Sequence, residues 1–286
     1  MPNFKEISVS LPDKYPAYAR FWCPTNLQGA VLFHHGIQSH CGWYESSAAS
    51  LVEAGFAVLQ VDRRGCGRNS TDRGHAESAD LLIGDALAAR DTLAHLTGFK
   101  KHHVIGVSWG GKLAVAAYVS DPDYVLSLTL VTPGLFPLVG VSKGEMSKIG
   151  FAMLYEQERL FDIPLNQADL FTTVPRWKHF FDTDVLTLSQ CTAGFFLASR
   201  RMDKIVAKLP TSRPVPVHLF VAGVERIIDN DKTIAFVRDL NWPDCQITQY
   251  NEARHSLEFE GDPAVFFRDQ ASFIADRRTP CSGKQR

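Results

Sequence analysis

A serine between two glycines lies where the chain could hold a reactive hydroxyl. The segment "GVSWG", residues 106 to 110, matches the pattern G-x-S-x-G. It directly follows the apolar run "HHVIGV" and opens the run "WGGKLAVAAYV", which is the strand, turn and helix order of a nucleophilic serine. The N-terminus of the following helix favours developing negative charge. Ser108 is therefore a candidate nucleophile, although serine is also a preferred helix N-cap.

A histidine and two carboxylates follow later in the chain. Glu225 and Asp229 lie in "FVAGVERIIDND", after a predicted strand, and His255 lies in "NEARHSLEFEGDP", before the last predicted helix. In one known arrangement of hydrolytic triads the order along the chain is Ser, acid, His. A histidine near Ser108 would take its proton during attack on a carbonyl carbon, and a carboxylate would orient that histidine. These residue types predict acyl transfer through an acyl-enzyme.

The elements that must position these residues alternate between strand and helix. Near-continuous apolar runs are typical of strands buried on both faces, and strands separated by helices imply a parallel sheet. The predicted strands cover 17–22, 29–36, 56–62, 102–107, 125–133, 215–223 and 246–250. The predicted helices cover 43–55, 79–98, 109–119, 231–240 and 263–278.

The alternation stops in the middle of the chain. Residues 134–211 are rich in aromatic and helical segments and contain no clear strand. We interpret this region as a helical cap inserted into a core domain made of residues 1–133 and 212–286.

Two further segments resemble a known family. "HGIQSHCGWY" (35–44) is similar, position for position, to the HGxGEHSGRY segment of the monoacylglycerol lipase and lysophospholipase branch of α/β hydrolases, the serine aminopeptidase S33 type. Gln38 replaces its second glycine and Ser39 its glutamate. "VDRRGCGRNS" (61–70) resembles the D-x-R-G-x-G-x-S turn of the same family. The resemblance covers nearly the whole chain outside the predicted cap.

The resemblance implies an α/β-hydrolase fold, with a mostly parallel central sheet flanked by helices and an inserted helical cap. In that fold the backbone N–H groups of Ile37 and Trp109 would form the oxyanion hole. Glu225 aligns with the catalytic aspartate of the family, and Asp229, the alternative acid, aligns with an auxiliary acidic position. The chemistry requires no cofactor and no metal ion.

The substrate is less determined than the reaction. Aromatic residues of the predicted cap suggest a pocket for a lipophilic acyl chain, as in monoacylglycerol or lysophospholipid esters. An alternative is an aminopeptidase or amidase, because "SWGG" also resembles the proline iminopeptidases, with Glu156, Glu158 or Asp162 as binding sites for an amino terminus. A third interpretation is a ligand-binding scaffold without catalysis. The aromatic candidates are Phe136, Phe151, Tyr155, Phe161, Trp177, Phe180, Phe181, Phe195 and Phe196.

Composition excludes some function classes. The formal net charge is -1 and the basic residues are dispersed, so the chain lacks the basic stripe that nucleic-acid binding requires. The N-terminal segment has no apolar run of signal-peptide length and no window approaches the length of a membrane span, which predicts a cytoplasmic protein. The apolar segment "GLFPLVGV" (134–141) leaves peripheral membrane contact open. We expect the partner to be a small-molecule ester.

Overall fold

The computed structural model describes residues 3–209 and 212–277. Two strands of this region form a separate antiparallel pair, and the other eight form one sheet. The strands of the described residues are β1 (Phe4–Ser10), β2 (Pro16–Trp22), β3 (Gly29–His34), β4 (Phe56–Val61), β5 (His102–Val107), β6 (Val125–Val131), β7 (Leu160–Asp162), β8 (Gln190–Thr192), β9 (Val217–Ala222) and β10 (Cys245–Tyr250).

Helices cover both faces of the large sheet. Helix α2 begins after Ser78, whose side chain accepts from the N–H of Leu81, and ends at Gly98 with a φ of 78°. Such a polar N-cap and a left-handed glycine are common helix boundaries. The α-helices of the described residues are α1 (Glu45–Glu53), α2 (Ala79–Thr97), α3 (Trp109–Ser120), α4 (Lys143–Tyr155), α5 (Pro175–Thr183), α6 (Ala193–Val206), α7 (Asn230–Asp239) and α8 (Ala264–Ala275).

The order of strands places the loop after β3 beside the loop after β5. The sheet runs β1-β2-β4-β3-β5-β6-β9-β10, with β1, β2 and β4 paired antiparallel and the remaining pairs parallel. The chain moves outward from β3 to β4 and then returns to the other side of β3 for β5. Crevices for ligands form at the carboxyl ends of strands where the order reverses in this way. Ile37 and Ser108 follow these two strands.

The core lies on both sides of the sheet because successive side chains of a strand point to opposite faces. In β3, Leu32 belongs to the cluster beneath α2 and α3, whereas Val31 and Phe33 belong to the cluster beneath α1 and α8. All six residues of β3 are buried. Burial of each large apolar side chain contributes roughly 1.5–3 kcal/mol to the free energy of unfolding. The predicted mostly parallel sheet with flanking helices is confirmed.

The elements between β6 and β9 differ in one respect from the prediction. The predicted cap contains α4, α5 and α6, but it also contains the β7–β8 pair, where no strand was expected. Each of these strands has three residues, which is too short to produce a readable alternation of apolar and polar side chains. Positions 210–211 of the predicted cap lie outside the described residues. The division into core and cap remains a proposal.

Strand β1 was not predicted. Its segment FKEISVS has mainly half-exposed or exposed side chains, as is typical of an edge strand. The strands predicted over 29–36 and 125–133 end earlier, at His34 and Val131, and the residues after them form loops. The last position of the helix predicted over 263–278 lies outside the described residues.

In the described part of the chain, we find no helix with the length and apolar character needed to span a bilayer.

Candidate active site

Ser108 lies in a strained turn between β5 and α3. Its backbone has a φ of 52° and a ψ of -122°, a region that residues other than glycine seldom adopt. Its N–H donates to the carbonyl oxygen of Val131, and its own carbonyl accepts from Gly111 and Gly134. Backbone strain of this kind costs roughly 1–3 kcal/mol and persists only where the surroundings fix it. The side chain makes no N-cap bond to α3, so N-capping does not explain this serine.

The turn depends on close backbone contacts at its glycines. A Cβ atom added to Gly106 would lie 2.6 Å from the carbonyl oxygen of Gly110 and 2.6 Å from the Cα of Gly111. A Cβ atom on Gly110 would lie 2.3 Å from the carbonyl oxygen of His34, in β3. These neighbours are backbone atoms, which cannot rotate away. Helix α3 therefore approaches the sheet as closely as it does because these positions lack side chains.

We predict that Gly106→Ala lowers the free energy of unfolding by about 2–3 kcal/mol, as overpacking does in a rigid site. The matched control is Gly84→Ala in α2, where the new Cβ meets only Pro12 Cγ, at 3.6 Å. Replacing a glycine inside a helix by alanine is expected to stabilise by roughly 0.5–1 kcal/mol. Urea unfolding followed by circular dichroism measures both. Equal midpoints for the two variants would contradict this account of the turn.

The side chains of Ser108, His255 and Glu225, from three parts of the chain, form one connected set of hydrogen bonds. His255 Nε2 lies 2.9 Å from Ser108 Oγ, and His255 Nδ1 lies 2.8 Å from Glu225 Oε2. The His255 and Glu225 side chains are each 2% exposed. The backbone carbonyl of His255 accepts from Thr132 Oγ1 at 2.9 Å, which anchors the loop to the end of β6. A continuous hydrogen-bonded chain thus leads from the hydroxyl through the imidazole to a buried carboxylate.

Glu225 is held in its ionised form. The N–H groups of Arg226 and Ile227 donate to its Oε1 at 2.9 and 2.7 Å. Burial alone would raise the pKa of Glu225, but the neighbouring His255 and these donors outweigh it, so the pKa lies below its ordinary value.

Asp229 occupies a different place. Its side chain caps α7 by accepting from the N–H of Lys232 at 3.0 Å, and it also pairs with Lys232 Nζ at 2.8 Å. Its hydrogen bonds thus serve the start of a helix, whereas His255 is bonded to Glu225.

The loop after β3 brings Ile37 close to Ser108. A Cβ on Gly36 would lie 3.5 Å from Ser108 Cβ, so the loop backbone passes beside the serine. Within the described residues, the N–H groups of Ile37 and Trp109 donate to no other group. Arg63 holds the loop from the opposite side, donating from Nη2 to the carbonyl oxygen of Ile37 at 2.8 Å and from Nη1 to that of Gly36 at 3.3 Å. Ile37, Trp109 and Ser108 line the same cavity, so these two N–H groups are candidates for an oxyanion hole.

Arg63 also contacts Trp109, the second residue whose backbone N–H group has no acceptor among the described residues. Its guanidinium lies 4.5 Å from the ring centre of Trp109, which in turn stacks on Phe195 of α6 at 5.2 Å. Sequence reasoning missed Arg63, because it occupies a variable position of the D-x-R-G turn and its role depends on tertiary contacts.

The histidines of the same loop serve the structure. Burial lowers the pKa of His34 to about 4 and that of His35 well below its ordinary value, so both rings stay neutral. His35 Nε2 accepts from the N–H of Arg63 at 2.9 Å. His40 Nδ1 accepts from the N–H of Gly42 and so begins a one-turn 3-10 helix. No cluster of three or more His, Cys, Asp or Glu residues suited to a metal ion occurs in the described ranges.

A buried carboxyl follows His255 in the same loop. Glu258 accepts from Ser47 Oγ at 2.6 Å and from the Ser47 N–H at 3.0 Å, and burial raises its pKa to about 7. The folded protein therefore binds this proton more tightly than the unfolded chain does. The corresponding stability is complete below about pH 4.5 and is lost as pH rises through about 7.

We predict that Glu258→Gln removes this loss. Between about pH 5 and pH 8.5 the wild type should lose about 2.5 kcal/mol more of its free energy of unfolding than the variant does, since one pKa unit corresponds to about 1.4 kcal/mol. Urea unfolding at several pH values measures the difference. The control is Glu252→Gln, an exposed carboxyl nearby. Parallel pH profiles for wild type and Glu258→Gln would refute the prediction.

A cavity of about 360 Å³ opens beside Ser108. Ile37 and Trp109 border it, and most of its remaining lining is apolar. The apolar lining comes from three separate parts of the predicted cap and from the loop of Glu225. The apolar residues are Pro137, Val139, Val141, Met146, Ile163, Pro164, Leu165, Phe196, Ile227 and Ile228.

The aromatic prediction for this cavity is mostly wrong. Of the nine aromatic candidates, Phe196 alone lines it. Phe151 and Tyr155 are exposed by 62% and 74%. Trp177, Phe180 and Phe181 instead pack on two core rings, Trp43 and Phe259. Aromatic side chains contribute most by burying large areas in a core, and composition cannot show which side of a helix faces a ligand.

The acidic candidates for an aminopeptidase also lie elsewhere. Glu156, Glu158 and Asp162 are exposed, and none of them lines the cavity beside Ser108. The carboxylate among the cavity's lining residues is Asp203, in α6.

Curated proteins share parts of this sequence. Human monoglyceride lipase is 27% identical over 124 residues, which are 41% of this chain and 39% of that protein. A proline iminopeptidase of Clostridioides difficile is 32% identical over 139 residues, which are 46% of this chain and 44% of that protein. The chain thus spans less than half the length of either relative.

Solved structures share the fold. A monoacylglycerol lipase of Paleococcus ferrophilus superposes with a TM-score of 0.81 at 19% identity, covering 91% of this chain and 99% of that one. A soluble variant of Saccharomyces cerevisiae monoglyceride lipase gives a TM-score of 0.82 at 17% identity, covering 98% of this chain and 96% of that one. The predicted α/β-hydrolase fold is confirmed.

The family model described as "Serine aminopeptidase, S33" matches residues 25–262, which include Ser108, Glu225 and His255. That range extends from the loop before β3 to the loop before α8 and contains the whole predicted cap. The chain therefore belongs to the serine aminopeptidase S33 family of α/β hydrolases, and the resemblance to the monoacylglycerol lipase branch is confirmed.

Proposed function

We propose that this chain hydrolyses carboxylic esters with a Ser-His-acid triad formed by Ser108, His255 and Glu225. The observation that supports it most is the hydrogen-bonded chain from Ser108 Oγ through His255 to Glu225, at the edge of a largely apolar cavity. A buried carboxylate that orients an imidazole beside a strained serine is the arrangement of an activated nucleophile.

In the proposed reaction, His255 Nε2 accepts the Ser108 proton while Oγ forms a bond to the ester carbonyl carbon. The N–H groups of Ile37 and Trp109 stabilise the oxyanion, and loss of one such donor typically costs about 3 kcal/mol of transition-state stabilisation. His255 then donates its proton to the departing alcohol oxygen as the C–O bond breaks. Water attacks the acyl-enzyme as its proton passes to His255, and His255 returns that proton to Ser108 Oγ as the acyl C–O bond breaks and the carboxylic acid leaves.

The apolar lining favours an ester with hydrocarbon on at least one side of its carbonyl. Pro137, Ile163 and Leu165 border the cavity with Ser108. Monoacylglycerol or lysophospholipid esters are the substrate classes that this lining and the lipase relatives support. Exposed Leu138 and Phe151 offer contact with a lipid surface without a spanning helix.

The second candidate is an aminopeptidase of the proline iminopeptidase type, which the second relative favours. Binding a substrate ammonium would require an unpaired carboxylate in the cavity. Asp203, the carboxylate found there, already pairs with Lys112 Nζ at 2.5 Å. The charges of the cavity therefore favour the ester hydrolase.

The test is labelling with a fluorophosphonate, with the modified residue located by mass spectrometry. We expect adduct on Ser108, hydrolysis of p-nitrophenyl esters, and little turnover of prolyl p-nitroanilide. Faster turnover of the prolyl anilide than of any ester would favour the aminopeptidase. Absence of labelling and of turnover in folded protein would favour the ligand-binding scaffold.

A further inference from the structure

A buried lysine lines the Ser108 cavity. Lys112 lies in α3, one helical turn after Ser108, and is 5% exposed. Its Nζ lies 2.5 Å from Asp203 Oδ1 and 3.4 Å from Ser199 Oγ, both on α6. A lysine is seldom buried without a charged or polar partner, because desolvation of the ammonium is costly. The residues next to Lys112 in α3, Gly111 and Leu113, are apolar, so its ammonium finds its partners on α6.

The partners of Lys112 do not exhaust its hydrogen-bonding capacity. An ammonium group has three N–H donors, and the contacts with Asp203 and Ser199 use two of them. The contact with Ser199 is long, and the same hydroxyl also accepts from Trp109 Nε1 at 2.9 Å. Lys112 therefore has a donor available for an acceptor that enters the cavity.

The charge near Lys112 is positive. Arg200 also lines the Ser108 cavity, so two cations face one carboxylate, Asp203. A groove of about 570 Å³ between α4 and α6 adjoins the cavity and shares Met146, Phe196, Arg200 and Asp203 with it. The groove adds Arg201 and Lys204. Arg200, Arg201 and Lys204 are exposed, and Lys112 is buried. An anion at the junction would be attracted by these cations, most strongly at Lys112, where water screens the charge least.

We propose that the substrate is an ester that also carries an anionic group, a carboxylate or a phosphate, and that Lys112 and Arg200 bind this group. The proposal rests on the proposed function, since Ser108 must cleave the ester. The apolar walls would hold the hydrocarbon between the ester carbonyl and the anion. Asp203 would orient Lys112, and the same charges would exclude a substrate ammonium.

The test compares two esters of equal acyl length, p-nitrophenyl hemiglutarate and p-nitrophenyl pentanoate. The first has a carboxylate at the end of its acyl chain and the second has a methyl group. The measured quantity is the ratio of their kcat/KM values, anionic over neutral, which cancels any general loss of activity. For wild type we expect a ratio of about ten or more, the magnitude of one charge-assisted hydrogen bond.

Three variants examine the assigned residues. Lys112→Met and Arg200→Gln should each lower the ratio by about tenfold. Lys112→Met leaves Asp203 unpaired, so the double variant Lys112→Met/Asp203→Asn removes both charges of the pair together and should lower the ratio likewise. The control is Lys208→Gln, which removes one positive charge just beyond the end of α6 and should keep the wild-type ratio.

A second comparison places the anion on the alcohol side. It uses a monoacylglycerol and the 1-acylglycerol 3-phosphate with the same acyl chain. A preference for the anionic member of either pair, lost in Lys112→Met or Arg200→Gln, supports the proposal and shows which side of the ester bears the anion.

Two outcomes would overturn the proposal. In the first, wild type hydrolyses the neutral ester but favours neither anionic ester. In the second, Arg200→Gln and the double variant both keep the wild-type ratio. Failure of the proposed function is distinguishable, because no ester would then be hydrolysed and Ser108 would not react with the fluorophosphonate.

Discussion

Ser108→Ala is expected to lower kcat for p-nitrophenyl pentanoate by about 10⁶-fold, the loss typical of a triad serine. Alanine removes the Oγ atom that lies 2.9 Å from His255 Nε2, and with it the proposed nucleophile. The fold should persist, because the turn is fixed by Val131, Gly111 and Gly134 through backbone hydrogen bonds. Steady-state kinetics measure the loss, and urea unfolding verifies the fold.

The losses of kcat caused by Ser108→Ala and His255→Ala should not add in the double variant. His255→Ala alone should cost nearly as much as Ser108→Ala, and the double variant should cost little more than either, because each group acts only through the other. Additive losses in the double variant, or retention of more than about one hundredth of wild-type kcat in Ser108→Ala, would mean that another residue is the nucleophile.

The arrangement around Ser108 is predictable because its signals are local. "HHVIGV" and "WGGKLAVAAYV" are uninterrupted apolar runs on either side of a serine, and both became the buried β5 and α3. The position of His255 follows from the order of the elements, since loops after parallel strands gather at one edge of the sheet. The choice between Glu225 and Asp229 rested on a resemblance and not on any local pattern.

The cavity was less predictable because its lining depends on packing between distant segments. The Lys112–Asp203 pair joins residues 91 positions apart, and nothing in the sequence near Lys112 indicates its partner. One signal was available: a lysine interrupts an otherwise apolar helix directly after the serine. The aromatic residues are easy to identify in the sequence, but their packing is not. Trp177 and Phe180 contact the core ring of Phe259 and do not line the cavity.

The acid of the triad can be identified by isosteric replacement. Glu225→Gln is expected to lower kcat by roughly 10³- to 10⁴-fold, the magnitude known for a triad acid changed to its amide. An amide that donates to Nδ1 of His255 leaves the proton on Nε2, which is the wrong tautomer for removing the Ser108 proton. The amide also cannot stabilise the imidazolium that forms in the transition state. Steady-state kinetics with p-nitrophenyl pentanoate measure the loss.

The matched control is Asp229→Asn, which should retain kcat within about twofold, because asparagine is as good an N-cap as aspartate for α7. Glu225→Asp provides a second control: it restores the charge but shortens the side chain by one methylene. It should recover part of the loss, because an ionised carboxylate 2% exposed beside the imidazole is what the site requires. A large loss in Asp229→Asn with little change in Glu225→Gln would assign the acid to Asp229 instead. Since the pKa of Glu225 lies below its ordinary value, its carboxylate stays ionised at neutral pH, and the loss in Glu225→Gln reports removal of that charge.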